Sequence, residues 1–183
     1  MSFMNCAKIR ALAAAGVLTL TFAIQAAELN YSQDFSKVAL GEPPEDIMVL
    51  EGQFMVREEV GNKFLELPGA PLDTFGVVFG PSAPSGAQAQ VRILATKAGR
   101  KQPVFALGLN GQGGYKVRIS PAKQAIELMK GEDALASIPW TWKSGEWTSL
   151  RLQVRPMGSG IVVEGKAWQG EQEPATWMLK HSD

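Results

Sequence analysis

From Ala87 onward the apolar side chains recur at every second position, and that period decides what the chain can fold into. Leu150, Leu152 and Val154 alternate with Arg151, Gln153 and Arg155, and Ala89, Val91 and Ile93 alternate with Gln88, Gln90 and Arg92. Tyr115, Val117 and Ile119 oppose Lys116 and Arg118 in the same way. Successive side chains of a strand point to opposite faces, so each run has one apolar side and one wet side. Antiparallel sheets solvated on one face, two of them packed together, account for this most economically. No window sustains the three-and-four spacing of a helical stripe, and residues 122–130, between Pro121 and Gly131, read equally well as a short helix or a hairpin strand.

Turn chemistry separates the runs. Gly61-Asn62, Asn110-Gly111, Pro121-Ala122-Lys123, Gly131-Glu132-Asp133 and Gly158-Ser159-Gly160 each stand where a hairpin loop is needed. The pattern predicts strands over 30–35, 53–58, 63–67, 75–79, 87–96, 104–109, 115–120, 124–129, 147–155, 161–168 and 175–179, with 80–86 as a loop joining the sheets. About eleven strands exceed an immunoglobulin set, so the expected fold is all-β, an antiparallel two-sheet jelly-roll β-sandwich. The 183 residues suit one domain, and a 45% hydrophobic content is enough for a core. Eighteen Lys and Arg against eighteen Asp and Glu leave no basic field for nucleic acid.

The first 26 residues read as a secretory signal peptide. Lys8 and Arg10 precede fourteen uncharged, mostly apolar residues (11–24), and Gln25-Ala26-Ala27 offers cleavage after Ala26 or Ala27. A spanning helix needs about 20 apolar residues, so no membrane span is expected once the leader, itself a helix, is removed. The domain is then 27–183, secreted or periplasmic. Its 16 bases against 18 acids make it mildly acidic. Cys6, the single cysteine, lies in the leader, so the mature domain has no disulfide, thiolate nucleophile or Cys-ligated metal.

Gly114-Tyr115-Lys116-Val117-Arg118-Ile119, Gly145-Glu146-Trp147-Thr148-Ser149-Leu150-Arg151-Leu152, and Gly165-Lys166-Ala167-Trp168 followed by Glu173-Pro174 and Trp177 together carry a resemblance. The chain resembles the concanavalin A-like jelly-roll domains of secreted bacterial proteins, which include laminin-G-like and glucanase-like sandwiches. Weaker similarity reaches back to Asp34-Phe35. Such domains usually continue past this last segment into a closing strand beside the first one. Here the chain stops at His181-Ser182-Asp183, so the resemblance implies either a shortened domain or a first strand without its neighbour, an exposed edge.

Enzymatic chemistry finds little footing in the sequence. A glycosidase needs two carboxylates about 5–10 Å apart, and the Glu-x-Asp-x-x-Glu run of the glucanase branch is absent. Glu171-x-Glu173 before Pro174 reads as a solvated turn, and His181 reads as a frayed terminal side chain, with no Ser-His-Asp set that has an orienting shell. No catalytic residue is therefore assigned. The glycine-rich 108–114 stretch runs into a strand, which fits a hairpin and not a phosphate loop. No cofactor is expected, apart from a single structural calcium that Asp34, Glu171, Glu173 and Asp183 would hold if they converged at a rim.

Aromatic and cationic residues supply the candidate ligand site. Trp140, Trp142 and Trp147 fall within eight positions, and Trp168 and Trp177 bracket a polar loop. Tryptophan stacks on the apolar face of a sugar ring while Arg and Gln satisfy its hydroxyls. Trp168 and Trp177 read as core or sheet-edge side chains, whereas Trp140 and Trp142 are open between that reading and ligand. The expected binding residues are Tyr115, Trp140 and Trp142 for stacking and Arg92, Arg118 and Arg151 for hydrogen bonds. The wet strand faces are either plainly solvated or suited to an anionic glycan. The sequence thus predicts an exported, lectin-like, non-catalytic carbohydrate-binding domain for acidic or neutral glycans. A structural or protein-interaction module with an envelope protein as partner is the alternative, and a glycan hydrolase with an unrecognised carboxylate pair the third.

Overall fold

The computed structural model describes residues 30–67, 75–83, 86–111 and 113–183. The leader expected over 1–26 lies outside the described residues. The chain divides into two units, Met1–Asn30 and Tyr31–Asp183, and the second carries all the regular structure described below.

That unit is all-β, with antiparallel sheets. Strands β5 (Ala87–Leu94), β10 (Trp147–Met157), β11 (Gly160–Gln169) and β12 (Leu179–Ser182) form one four-stranded sheet in the order β12-β11-β10-β5. Strands β6 (Phe105–Leu109), β7 (Tyr115–Ser120), β8 (Ala125–Lys130) and β9 (Asp133–Pro139) form the other, in the order β6-β7-β8-β9. The two stack with β5 and β10 against β6 and with β12 against β9. Two smaller sheets pair β1 (Ile47–Glu51) with β4 (Gly76–Phe79) and β2 (Met55–Glu59) with β3 (Asn62–Glu66).

The core lies between the two larger sheets, and period-two alternation builds it. Leu150, Leu152, Val154, Val163 and Ala167 from one sheet meet Leu107, Val117, Ile119, Ile126 and Leu128 from the other. Burial of a side chain of this size contributes about 1.5–3 kcal/mol, so this set is the main source of stability. Turn residues behave as their chemistry demands: Asn110 and Gly111 both take positive φ between β6 and β7, and Pro121–Lys123 form a 3₁₀ turn closed by left-handed Gln124.

Several expectations are corrected. Residues 30–35 contain no strand: the Asp34 side chain accepts from Ser36 N and Oγ, which commits the chain to a local turn. The last strand is Leu179–Ser182 and not 175–179, because Trp177 and Met178 belong to a loop that folds back on β11. His181 is not frayed, since it pairs with Val163 within that strand. Strands β1 and β9 were not anticipated. The described part of 80–86 is irregular, as expected for the connection to β5.

Candidate functional site

The face of the β12-β11-β10-β5 sheet that points away from the core gathers the chemistry. The register sets Ser149 opposite both Arg92 and Trp168, Arg151 opposite both Gln90 and Lys166, and Gln153 opposite both Gln88 and Glu164. Trp147 and Arg155 continue the same row along β10, in phase with Arg151. A block of guanidinium, amide and indole groups thus lies across three adjacent strands.

Cations sit over indoles throughout this block. The Arg92 guanidinium stands 5.3 Å from the Trp147 ring, the Arg151 guanidinium 5.8 Å from Trp168, and the Lys166 ammonium 5.0 Å from Trp177. Each contact contributes about 0.5–2 kcal/mol depending on how far it is desolvated. Trp168 is buried on this outer side of the sheet, in phase with Lys166 and Glu164.

The loop over 170–178 makes one flank of the face. Lys166 Nζ donates to Pro174 O at 2.8 Å and meets Glu173 Oε1 at 2.6 Å, and Met178 N donates to Gly165 O at 3.1 Å. Glu173 Oε1 also lies 2.6 Å from Arg151 Nη1, while Arg151 Nε donates to Gln90 Oε1 at 2.8 Å. Glu173 is accordingly an ion-paired anchor and not a free turn residue. The result is graded across the sheet. Glu164, Lys166 and Trp168 on β11 are buried, Trp147, Arg151 and Gln153 on β10 are half-buried, and Gln88, Gln90 and Arg92 on β5 are exposed.

Of the six residues expected to bind ligand, the fold brings together only Arg92 and Arg151. Tyr115 is buried, and its hydroxyl donates to Asp183 Oδ2 at 2.5 Å. Burial first, and then this bond to a carboxylate, raises the Tyr115 phenol above its ordinary pKa. Trp140 and Trp142 are half-buried against the core, Trp142 edge-on to Phe105, and the Trp142 Nε1–H is buried without a partner among the described residues. Arg118 faces out from the opposite sheet, where it pairs with Glu127 at 3.0 Å. Burial alone would push the Glu127 carboxyl up, but bonds from Ser120, Lys123 and Arg118 outweigh it and hold the group below its usual range.

Three of the four carboxylates considered for calcium are engaged by other groups. Asp34 is engaged by Ser36, Glu173 by Arg151 and Lys166, and Asp183 by Tyr115 and Lys130. Among the described residues no three His, Cys, Asp or Glu side chains stand together as a metal site. Nor is any helix among them long and apolar enough to cross a membrane. On the outer face itself, Glu164 is engaged by Arg155 and Lys180, so both of its carboxylates already face cations.

Trp147, Trp168 and Glu173 join this face although the sequence reading does not group them with the candidate site. A signal for the two tryptophans was present: Trp147 shares parity with Arg151 and Gln153, and Trp168 shares it with Glu164 and Lys166. Comparison with known proteins finds no matching family model, no matching curated protein and no matching solved structure.

Proposed function

We propose that the protein is an exported, non-catalytic, carbohydrate-binding β-sandwich of jelly-roll connectivity. Its ligand lies along the open part of the outer face, over Gln90, Arg92, Trp147 and Arg151. The single observation that carries this reading is the set of indoles, guanidinium groups and amides on adjacent strands of one rigid sheet. Sugar recognition needs both kinds of group side by side, an apolar aromatic surface and fixed polar donors. The connectivity supports the jelly-roll part: β5 and β10 are neighbours, and the four strands between them form the facing sheet. Export, to the periplasm or the exterior, rests on the leader over 1–26.

A glycan array tests the reading. The purified protein is expected to retain at least one oligosaccharide, with retention lost in Trp147→Ala and unchanged in Arg118→Ala on the opposite sheet. Retention of no sugar, or equal retention by Trp147→Ala, would count against it.

One observation favours a second reading, a protein-interaction module of the cell envelope. The β1–β4 ribbon exposes Met48, Leu50 and Val78 at 65, 46 and 46%, and a cluster of exposed apolar side chains on a short two-stranded ribbon marks a contact surface. A strictly monomeric protein in light scattering that retrieves no envelope partner argues against this reading.

A further inference from the structure

We infer that the saccharide bound by this face is anionic, carrying a carboxylate or a sulfate, and that Arg92 is the residue that grips the anion. The inference rests on the carbohydrate reading above and narrows it to a ligand class.

Charge is unevenly distributed over the protein. The outer face of the β12-β11-β10-β5 sheet presents Arg92, Arg151, Arg155, Lys166 and Lys180 against Glu164 and Glu173, five cations to two anions. The whole chain balances at 18 against 18. On the facing sheet the outward cations are committed, Arg118 and Lys123 to Glu127 and Lys116 to Glu132. That set is three cations to two anions, so the larger excess belongs to the outer face of the β12-β11-β10-β5 sheet.

Within that excess Arg92 is distinct. Arg151 and Lys166 share Glu173, and Arg155 and Lys180 share Glu164. Arg92, exposed on β5, has no carboxylate and no side-chain hydrogen bond among the described residues; its recorded contact is the Trp147 ring at 5.3 Å. A guanidinium held on an indole keeps its plane fixed and its edge donors free, which is the arrangement that receives a carboxylate or sulfate through two parallel bonds.

The same face already holds a carboxylate, through one oxygen shared by an arginine and a lysine. Glu173 Oε1 lies 2.6 Å from both Arg151 Nη1 and Lys166 Nζ. Arg92 stands two positions along β5 from Gln90, the residue bonded to that arginine. An anion on Arg92 would thus sit beside Gln90 and near an indole, so that sugar hydroxyls and ring carbons meet amide and aromatic groups in turn. A polynucleotide is the poorer match, because the positive excess is small.

Titration calorimetry of the full exported protein tests this. The probes are oligogalacturonate, a heparin oligosaccharide, a neutral cello-oligosaccharide, inorganic sulfate and a single-stranded DNA of similar charge. At least one charged oligosaccharide is expected to bind about tenfold or more tighter than the neutral one, weakening as salt rises. Arg92→Gln is expected to lose about that factor, and Arg118→Gln to lose nothing. Equal binding of the neutral oligosaccharide, or an unchanged Arg92→Gln, overturns the anion inference and leaves the carbohydrate reading standing. Binding of no oligosaccharide overturns both. Sulfate or DNA binding as tightly as the charged oligosaccharides overturns the inference in favour of a general anion site.

Discussion

The Lys166 ammonium meets the Glu173 carboxylate at 2.6 Å while the Trp177 ring lies 5.0 Å from the same nitrogen. The lysine side chain is only 8% exposed and that of Glu173 is 32% exposed, so the pair joins a buried charge on β11 to a partly solvated loop. Pro174 O takes a second donor of the ammonium. Three contacts made by one side chain thus hold the 170–178 loop against the sheet and form one flank of the candidate binding face.

Breaking that pair from the loop side is expected to cost more than removing the lysine. Glu173→Gln leaves a buried ammonium without its counter-charge, an effect of about 1–3 kcal/mol after allowance for the solvent that reaches Glu173. Lys166→Met removes the buried charge itself, and Glu173 keeps Arg151. Urea unfolding of the two variants checks the order, and a costlier Lys166→Met would show that the ammonium stabilises chiefly through Pro174 O and Trp177.

Stability is expected to fall at both ends of the pH range through the Asp183–Lys130–Tyr115 group. Bonds from Lys130 and then Tyr115 hold the Asp183 carboxyl below its ordinary pKa. The contribution of this group is present above the unfolded value of about 4 and is lost as pH falls through the folded one. The bond to Asp183 raises Lys130, and burial followed by the same carboxylate raises Tyr115. Those contributions are complete below the unfolded values of about 10 and disappear as pH rises through the folded ones. Asp183→Asn should flatten the acid loss and reduce the alkaline one, leaving the part that burial of Tyr115 sets, in urea midpoints measured at acid, neutral and alkaline pH. An unchanged profile would remove the group from the account.

Parity made much of the fold legible, and parity also separates the residues grouped as binding residues from the sequence. β7 spans Tyr115–Ser120 as expected, and Leu150, Leu152 and Val154 are buried as their alternation requires. Tyr115, however, shares parity with Val117 and Ile119, which points it into the core, whereas Arg118 points out. No one ligand could have touched both. Trp140 and Trp142 sit where no strand gives them a phase, so sequence alone left them open. Elsewhere the signal was weaker. β1 reads Ile-Met-Val-Leu-Glu, an apolar run without alternation, and β9 is rich in small residues with a bulge opposite Leu128 and Met129. Glu173 was beyond reach because Arg151 comes from β10, and Lys166 meets it only once the 170–178 loop folds back on β11.

Gln169 is expected to control the loop that carries Trp142. Its Oε1 accepts from Lys143 N at 3.0 Å, and its Nε2 donates to Lys143 O at 2.8 Å and to Thr148 Oγ1 at 3.1 Å. The other flank of the loop is held separately, by Lys97 N to Ser144 Oγ and Gly145 N to Ala95 O. Gln169→Ala should therefore open the loop locally, at about 1–2 kcal/mol, without unfolding the sheets. Hydrogen exchange checks it: the Lys143 amide should speed up while those of Leu150 and Leu152 stay protected. Uniform acceleration across the protein would make Gln169 a global stabiliser instead.

Gly165 sets the spacing of the two larger sheets where β11 crosses β7. A Cβ placed there would lie 3.3 Å from Val117 Cγ2, 3.4 Å from Val117 Cβ and 3.7 Å from Leu128 Cδ1. Its φ is not in the left-handed region, so the glycine is needed for room and not for backbone conformation. Gly165→Ala overpacks the core, and the expected loss is about 1–3 kcal/mol. Val117→Ala alone leaves a cavity and is also destabilising. Because each change relieves the fault of the other, the double variant should be more stable than the sum of the two single losses predicts. Strict additivity in urea unfolding would mean that the sheets separate slightly to admit the methyl, and that Val117 is not what holds β11 at its distance.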